Sequence, residues 1–337
     1  MNSDMLKRVV RAIADGSKSD LEKLVDKIIE SQRLAGHEKL ANELSSIRMK
    51  PKIKKVVPFI RTDSGRSLTE LPTSKRNGSA LATLMPRNSL EHHMVLKRET
   101  EKRFARIERE YAAKERLLAF GLKPRKTILL YGPPGCGKSL GARRLAWNLG
   151  LPLLKVNFDA LISSYFGESA TNLRSIFDAV KELPCVLLLD ECDFIARSRT
   201  NTRDIGEALR IVNSLLQLME DYDAPGLLVA TTNIESSLDL AIFRRFDEAF
   251  QIPPPGPEEI RKLLLVTLSA VPSEANIDWD GIVSDLTGAS AATVVKVAQD
   301  SAKAAVLTGE KVLQELHLKN AVAELKRTDL ESMKSHQ

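Results

Sequence analysis

Four short segments of this 337-residue chain carry residue types at spacings suited to phosphate chemistry. The first, Gly132-Pro133-Pro134-Gly135-Cys136-Gly137-Lys138-Ser139, fits G-x-x-x-x-G-K-[ST], the pattern of a loop whose backbone N–H groups turn inward around phosphates. In such a loop Lys138 reaches the β- and γ-phosphates and the Ser139 hydroxyl takes a place on Mg2+. Leu140 follows in the helix whose N-terminus adds partial positive charge. The second, Leu187-Leu188-Leu189-Asp190-Glu191, is an apolar strand ending in two acids. Asp190 is suited to hold Mg2+ through water, and Glu191 to polarise the attacking water. The third, Thr231-Thr232-Asn233, ends a strand in an amide that bonds a γ-phosphate or orients water; an Asx-turn explains the same residue without chemistry. The fourth, Phe243-Arg244-Arg245-Phe246-Asp247, pairs two planar guanidinium groups that match phosphate. Ion pairs with Asp247 and Glu248 are the plain alternative.

These segments need a scaffold, and the chain supplies a regular one. Apolar runs at Ile128–Tyr131, Lys155–Phe158, Cys185–Asp190, Gly226–Thr231 and Ala249–Ile252 alternate with helical stretches, the first of them Leu140–Leu149. Alternation of this kind predicts an α/β fold: a parallel P-loop NTPase sheet flanked by helices, within residues 90–255. A charged helix from Leu90 to Phe120 precedes it, with Leu96, Phe104, Ile107, Leu117 and Leu118 as a narrow apolar face. Glu99/Arg103 and Glu110/Lys114 are spaced for i,i+4 pairs. After Pro253-Pro254-Pro255-Gly256 the strands stop, and residues 256–337 read as an all-α lid. Its helices fall at about 257–270, 280–286, 290–307 (with Ser290 as N-cap) and 312–326. Residues 1–48 read as a bundle of three short amphipathic helices, the size of a docking module. Residues 49–89 read as a basic linker, with a short strand expected at Val56–Ile60.

Charge and composition narrow the setting. The net charge of +6 is local in origin, since residues 48–76 hold nine Lys/Arg against only Asp63 and Glu70. A solvated tether is the preferred reading of that run. A recognition helix, a zinc site and an aromatic-interleaved basic groove are all missing, so nucleic acid is not the expected partner. No apolar run approaches a membrane span, and the N-terminus has no signal-peptide core. Cys136, Cys185 and Cys192 show no metal-ligand spacing, which predicts a reducing, cytoplasmic setting.

The four segments in this order resemble the AAA ATPases, a subgroup of the AAA+ class, over about residues 115 to 310. By that resemblance Gly132–Ser139 is Walker A, Leu187–Glu191 is Walker B and Asn233 is sensor 1. Arg244 and Arg245 are then arginine fingers reaching the next subunit's nucleotide. Thr287-Gly288-Ala289-Ser290-Ala291 resembles a diverged Gly-x-Ser-Gly-Ala helix start. The resemblance implies ATP and Mg2+ as cofactors, hydrolysis to ADP and phosphate, and a homo-oligomeric ring, usually a hexamer. Leu161–Ser169 resembles the family's pore loop, which would make Tyr165 the grip on a polypeptide, with Phe166 beside it and Gly167 freeing the loop. From residue types alone, Tyr165-Phe166 reads as core packing. The function expected is therefore ATP-driven remodelling, unfolding or disassembly of protein targets. The N-terminal module resembles the small helical starts of bacterial AAA proteins paired with a subtilisin-like protease in plasmid-maintenance or defence modules. That implies, as an alternative, a nucleotide-gated, antitoxin-like regulator of a partner protease. A DNA-directed loader is the third reading. Cys136 replaces the family's usual Thr, which would expose the site to thiol reagents.

Overall fold

The apolar runs that end in the phosphate-chemistry residues are strands of one six-stranded sheet. In the computed structural model, the structure describes residues 72–73, 79–162, 169–181, 183–192, 205–233, 243–309 and 312–334. The N-terminal helices and the strand expected at Val56–Ile60 lie outside them. The strands are β1 Ala82–Met85, β2 Thr127–Tyr131, β3 Leu153–Val156, β4 Val186–Leu189, β5 Leu227–Thr232 and β6 Glu248–Gln251. They stand in the order β1-β3-β4-β5-β2-β6. β1 runs antiparallel to β3, and every other pairing is parallel.

Strand parity explains why these segments read as continuous apolar runs. Leu129, Leu187, Leu189, Leu228 and Ala230 face one core, shared with α5 (Ser169–Lys181) and α6 (Ile205–Glu220). Ile128, Leu130, Val186, Leu188, Leu227 and Val229 face the other, shared with α1 (Arg98–Ala112) and α3 (Lys138–Asn148). A sheet covered on both faces requires apolar residues at every position. Each fully buried Leu or Phe there contributes about 1.5–3 kcal/mol of transfer free energy.

Gly226, at the start of β5, is squeezed between strands. A Cβ there would fall 1.8 Å from the Cys185 carbonyl oxygen, which accepts the Leu227 N–H. Backbone cannot step aside without opening the β4–β5 ladder. Gly226→Ala should therefore cost about 3 kcal/mol or more, read as a lowered urea midpoint; an unchanged midpoint would show that the two strands have slack here.

Several boundaries differ from the sequence expectation. β3 begins two residues early and ends at Val156, and Asn157 just beyond it donates its backbone N–H to Leu81 O at 2.9 Å and its side-chain amide to Ala80 O at 3.0 Å. Phe158 instead opens α4 (Phe158–Ile162). The expected helix from Leu90 to Phe120 is two helices, α1 and α2 (Lys114–Ala119), and residues 91–97 precede them without helical structure. Met94 in that lead-in comes against Gly137 of the phosphate loop. Phe104 and Ile107 are fully buried as expected, whereas Leu118 is exposed.

Neither expected i,i+4 ion pair forms. Arg103 reaches Glu248 on β6 at 2.7 Å, and Glu110 binds Arg125 and Arg106. Partners fixed on the sheet compete well with local ones on a solvated helix face. β1 arises inside the stretch whose composition reads as linker, with Ala82 opposite Val156.

The C-terminal helices are α7 (Pro257–Thr267), α8 (Trp279–Asp285), α9 (Ala291–Leu307) and α10 (Glu315–Lys334). Ile260, Leu264, Ile282, Val294, Ala298 and Leu318 form their separate core. Ser290 caps α9, its hydroxyl accepting from the Thr293 N–H at 3.2 Å. Among the described residues no helix is long and apolar enough to cross a membrane.

Candidate active site

Parallel pairing brings the C-terminal ends of β2, β5 and β4 to one edge of the sheet. Tyr131 is level with Thr232, so Gly132 and Asn233 are the next residues on neighbouring strands. Leu189 is level with Ala230, which sets Asp190 beside Thr231. Three segments separated by up to a hundred residues thus meet where open α/β sheets bind ligands.

The loop between β2 and α3 has the backbone of an anion cradle. Gly132 has φ +137°, and a Cβ there would lie 2.5 Å from Ile252 O. Gly135 has φ +73°, and a Cβ there would strike the Ser290 hydroxyl at 2.6 Å. Only glycine fits either place. The loop leads into the N-terminus of α3, eleven residues long, where free N–H groups and the helix dipole favour phosphate. The buried Lys138 ammonium donates to the carbonyls of Gly132 (2.9 Å) and Pro133 (2.7 Å), which holds it over the loop. Pro134 and Leu140 complete the run, Leu140 within the first turn of α3.

Asp190 is the hub of the site. Its Oδ1 accepts from the Ser139 hydroxyl at 2.6 Å and the Thr231 hydroxyl at 2.7 Å, and its Oδ2 accepts from Lys155 Nζ at 2.7 Å. Burial pushes its pKa up, but the bonds from Lys155, Ser139 and Thr231 outweigh burial and hold the carboxyl below its ordinary value. Asp190 is therefore a carboxylate throughout the neutral range. Its pairing with Ser139 suits a divalent cation: a hydroxyl that donates to a carboxylate turns its lone pairs outward. Two hard oxygens side by side, with phosphates and waters as the remaining ligands, are what Mg2+ takes. Among the described residues no cluster of three or more His, Cys, Asp or Glu could hold a metal unaided.

Glu191 follows on a strained turn. It has φ +56° and is the sole non-glycine residue with positive φ among the described residues. Its N–H donates to Thr231 Oγ1 at 2.9 Å, and the Cys192 N–H donates to Thr231 O at 2.8 Å. Thr231 thus pins both acids, accepting from one backbone and donating to the other carboxylate. The Glu191 side chain is exposed, one residue after the Asp190 that bonds Ser139. Strain of this sort persists where the surroundings enforce it, and active sites are where it gathers.

Arg244 and Arg245 stand between two ends of the sheet, for Phe243 just before them packs edge-on against Tyr131 at the end of β2, ring centroids 5.4 Å apart. They precede β6, and Asp247 just after them accepts from the N–H groups of Lys126 and Thr127 at the start of β2. The five residues of β2 separate that start from Gly132, about 16 Å at 3.3 Å per residue. Neither arginine takes up the ion pairs with Asp247 and Glu248: the first acid caps β2 and the second binds Arg103 and Arg125. Arg245 pairs with Glu220 at 2.7 Å, while Arg244 is exposed and without an ion-pair partner among the described residues. Tyr165, Phe166 and Gly167 lie outside the described residues, between α4 and α5 in the chain.

Cys136 corrects one expectation. The thiol is only 4% exposed, and burial raises its pKa despite the opposing pull of Lys138. A protonated, covered thiol is a poor nucleophile. Cys185 is pushed up to about 12 by burial, and Cys192 is also buried. Ellman's reagent should find almost none of the three thiols in the native protein and all three in denaturant; rapid native labelling at Cys136 would contradict the burial.

Lys155 and Thr231 are the residues that motif reading passes over. The available signal for Lys155 was a cation inside the apolar run Leu153-Leu154-Lys155-Val156, next to the strand carrying Asp190. The C-terminal helices also touch the site, since the Ala292 N–H at the start of α9 donates to Gly135 O at 2.9 Å.

Comparison with known proteins agrees with this geometry. Residues 128–254 match the family described as ATPase family associated with various cellular activities (AAA). An uncharacterized AAA family ATPase, y4kL, of Sinorhizobium fredii (strain NBRC 101917 / NGR234) is 39% identical over 214 residues. That similarity covers 64% of this chain and 64% of the relative, just under two thirds of each. The phosphate loop, the paired acids and strands β2 to β6 all lie inside or border residues 128–254, so the stretch similar to the AAA family is the one that builds the site.

Proposed function

We propose that the chain hydrolyses ATP to ADP and phosphate in a ring of identical subunits and uses the cycle to remodel protein targets. The observation that carries the hydrolysis is the Ser139–Asp190–Thr231–Glu191 chain of hydrogen bonds at the mouth of a phosphate cradle. Lys138 and the α3 N-terminus bind the phosphates. Ser139 and Asp190 hold the cation. Glu191, fixed by its backbone bond to Thr231, takes a proton from the attacking water, and Asn233 on the neighbouring strand end orients that water against the γ-phosphate. Mg2+, when bound, neutralises charge across the β- and γ-phosphates.

Two features favour a shared site and a protein target. Arg244 is exposed and without an ion-pair partner among the described residues, a guanidinium available to a neighbour's nucleotide. Tyr165-Phe166-Gly167 offers an aromatic contact that tolerates any polypeptide sequence.

The test pairs two variants. Glu191→Gln should trap a target protein in an ATP-dependent pull-down. Against that target, Tyr165→Ala should retain ATP turnover within about threefold and lose remodelling tenfold or more, as the loss of an aromatic anchor predicts. Remodelling at the wild-type rate by Tyr165→Ala would end the threading reading and leave the ATPase intact. An intact protease as the captured partner, neither unfolded nor disassembled, would move the role to a nucleotide-gated regulator.

A further inference from the structure

Lys155 is a charged side chain where the fold asks for an apolar one. Its neighbours on β3 are the buried Leu153, Leu154 and Val156, and its partners in register are the buried Leu188 of β4 and the exposed Thr83 of β1. A lysine at such a place is costly to dehydrate unless it meets a carboxylate. It meets Asp190, at 2.7 Å from Oδ2. The two partners are unequally covered: the lysine side chain is 40% exposed and the aspartate 10%. The anchored member of the pair is thus the carboxylate, and the movable one is the ammonium.

The two carboxylate oxygens are engaged by different chemistry. Oδ1 is held by two hydroxyls, Ser139 and Thr231, which keep lone pairs and can stay beside a cation. Oδ2 is held by an ammonium, which has donors only and repels a second cation. The ammonium ends a flexible four-carbon stem and turns away at little cost.

Resting on the ATPase reading above, we propose that Lys155 is a tethered counter-cation of Asp190 that competes with Mg2+ for that carboxylate and sets how much Mg2+ the nucleotide site requires. Without metal, the Lys155–Asp190 pair presents no net charge to the incoming phosphates. With metal, Lys155 yields Oδ2 and its ammonium turns toward solvent. Lys155 is a positioning residue in this account, acting through Asp190.

The two effects of removing it have opposite signs, which a merely structural role would not produce. The experiment is equilibrium binding of a fluorescent N-methylanthraniloyl-ADP to the full chain, in EDTA and across a Mg2+ titration, for wild type, Lys155→Gln, Lys155→Met and Lys155→Arg. The Gln and Met variants should need about tenfold less Mg2+ for half-saturation, and bind the nucleotide about tenfold more weakly in EDTA, where a bare carboxylate faces the phosphates. Lys155→Arg should restore both values to near wild type. An unchanged or higher Mg2+ requirement in the Gln variant overturns the proposal, and so does an Arg variant that behaves like Gln. If Lys155→Met melts without cooperativity, the half-exposed, polar Gln variant decides alone. Wild-type chain that binds no nucleotide, or binds it equally well after Lys138→Ala, would instead sink the ATPase reading on which the proposal rests.

Discussion

Glu191→Gln should bind ATP with near wild-type affinity and turn it over at least about a hundredfold more slowly, the usual share of a positioned base. The substitution keeps the shape, the +56° backbone and the Glu191 N–H bond to Thr231, and removes only the proton acceptor. Binding is spared because the cradle and the Asp190 hub lie on other groups. The measurement is single-turnover hydrolysis beside nucleotide affinity. A loss of affinity equal to the loss of rate would mean that Glu191 supports the ground-state complex, and hydrolysis surviving within a few-fold would remove it as the base. Asp190→Asn gives the contrast: it breaks the hub shared by Ser139, Thr231 and Lys155, so binding in the presence of Mg2+ should weaken along with turnover.

Arg244→Ala should lower turnover by about a thousandfold in the assembled protein, the size expected for a guanidinium acting on the transferred phosphoryl group. Arg245→Ala should cost less, since Arg245 is engaged with Glu220. With Arg244 serving a neighbour's nucleotide, as proposed, the defect should be repairable from outside. An equimolar mixture of Arg244→Ala with Lys138→Ala should recover activity that neither variant has alone: one supplies an intact phosphate loop and the other an intact arginine. A mixture as inactive as its parts would place Arg244 outside the shared site. Activity of Arg244→Ala unaffected by assembly would assign it a structural role.

Much of this site was legible in the residues alone, and the reason is that its signals are local. Gly132, Gly135 and Lys138 encode their own loop, because positive φ and close backbone approach are demands that glycine meets and other residues do not. The strands β2, β4 and β5 announce themselves because burial on both faces forces an unbroken apolar run. Ser290 marks the start of α9 by the cap it makes three residues on. The acids at the tip of β4 draw their meaning from the loop, and parallel pairing alone suffices to bring them near it.

What the chain folds against itself decided the rest. β1 is a four-residue strand whose neighbour is seventy residues away, so nothing within Ala82–Met85 marks it as a strand. Glu99/Arg103 and Glu110/Lys114 have the right spacing, yet Arg103 goes to Glu248 on β6 and Glu110 to Arg125 just before β2, while Glu99 takes Lys102. Cys136 reads as a reactive thiol until the packing covers it and raises its pKa. Lys155 has no role until β3 lies beside β4 and sets it on Asp190. Sequence by itself determined the loop, the order of the candidate site residues and the class of sheet, since these depend on backbone conformation and burial over a few residues. Tertiary structure alone decided which cation meets Asp190 and which acid meets Arg245, since charge pairing depends on distances of a few ångströms between segments far apart in the chain.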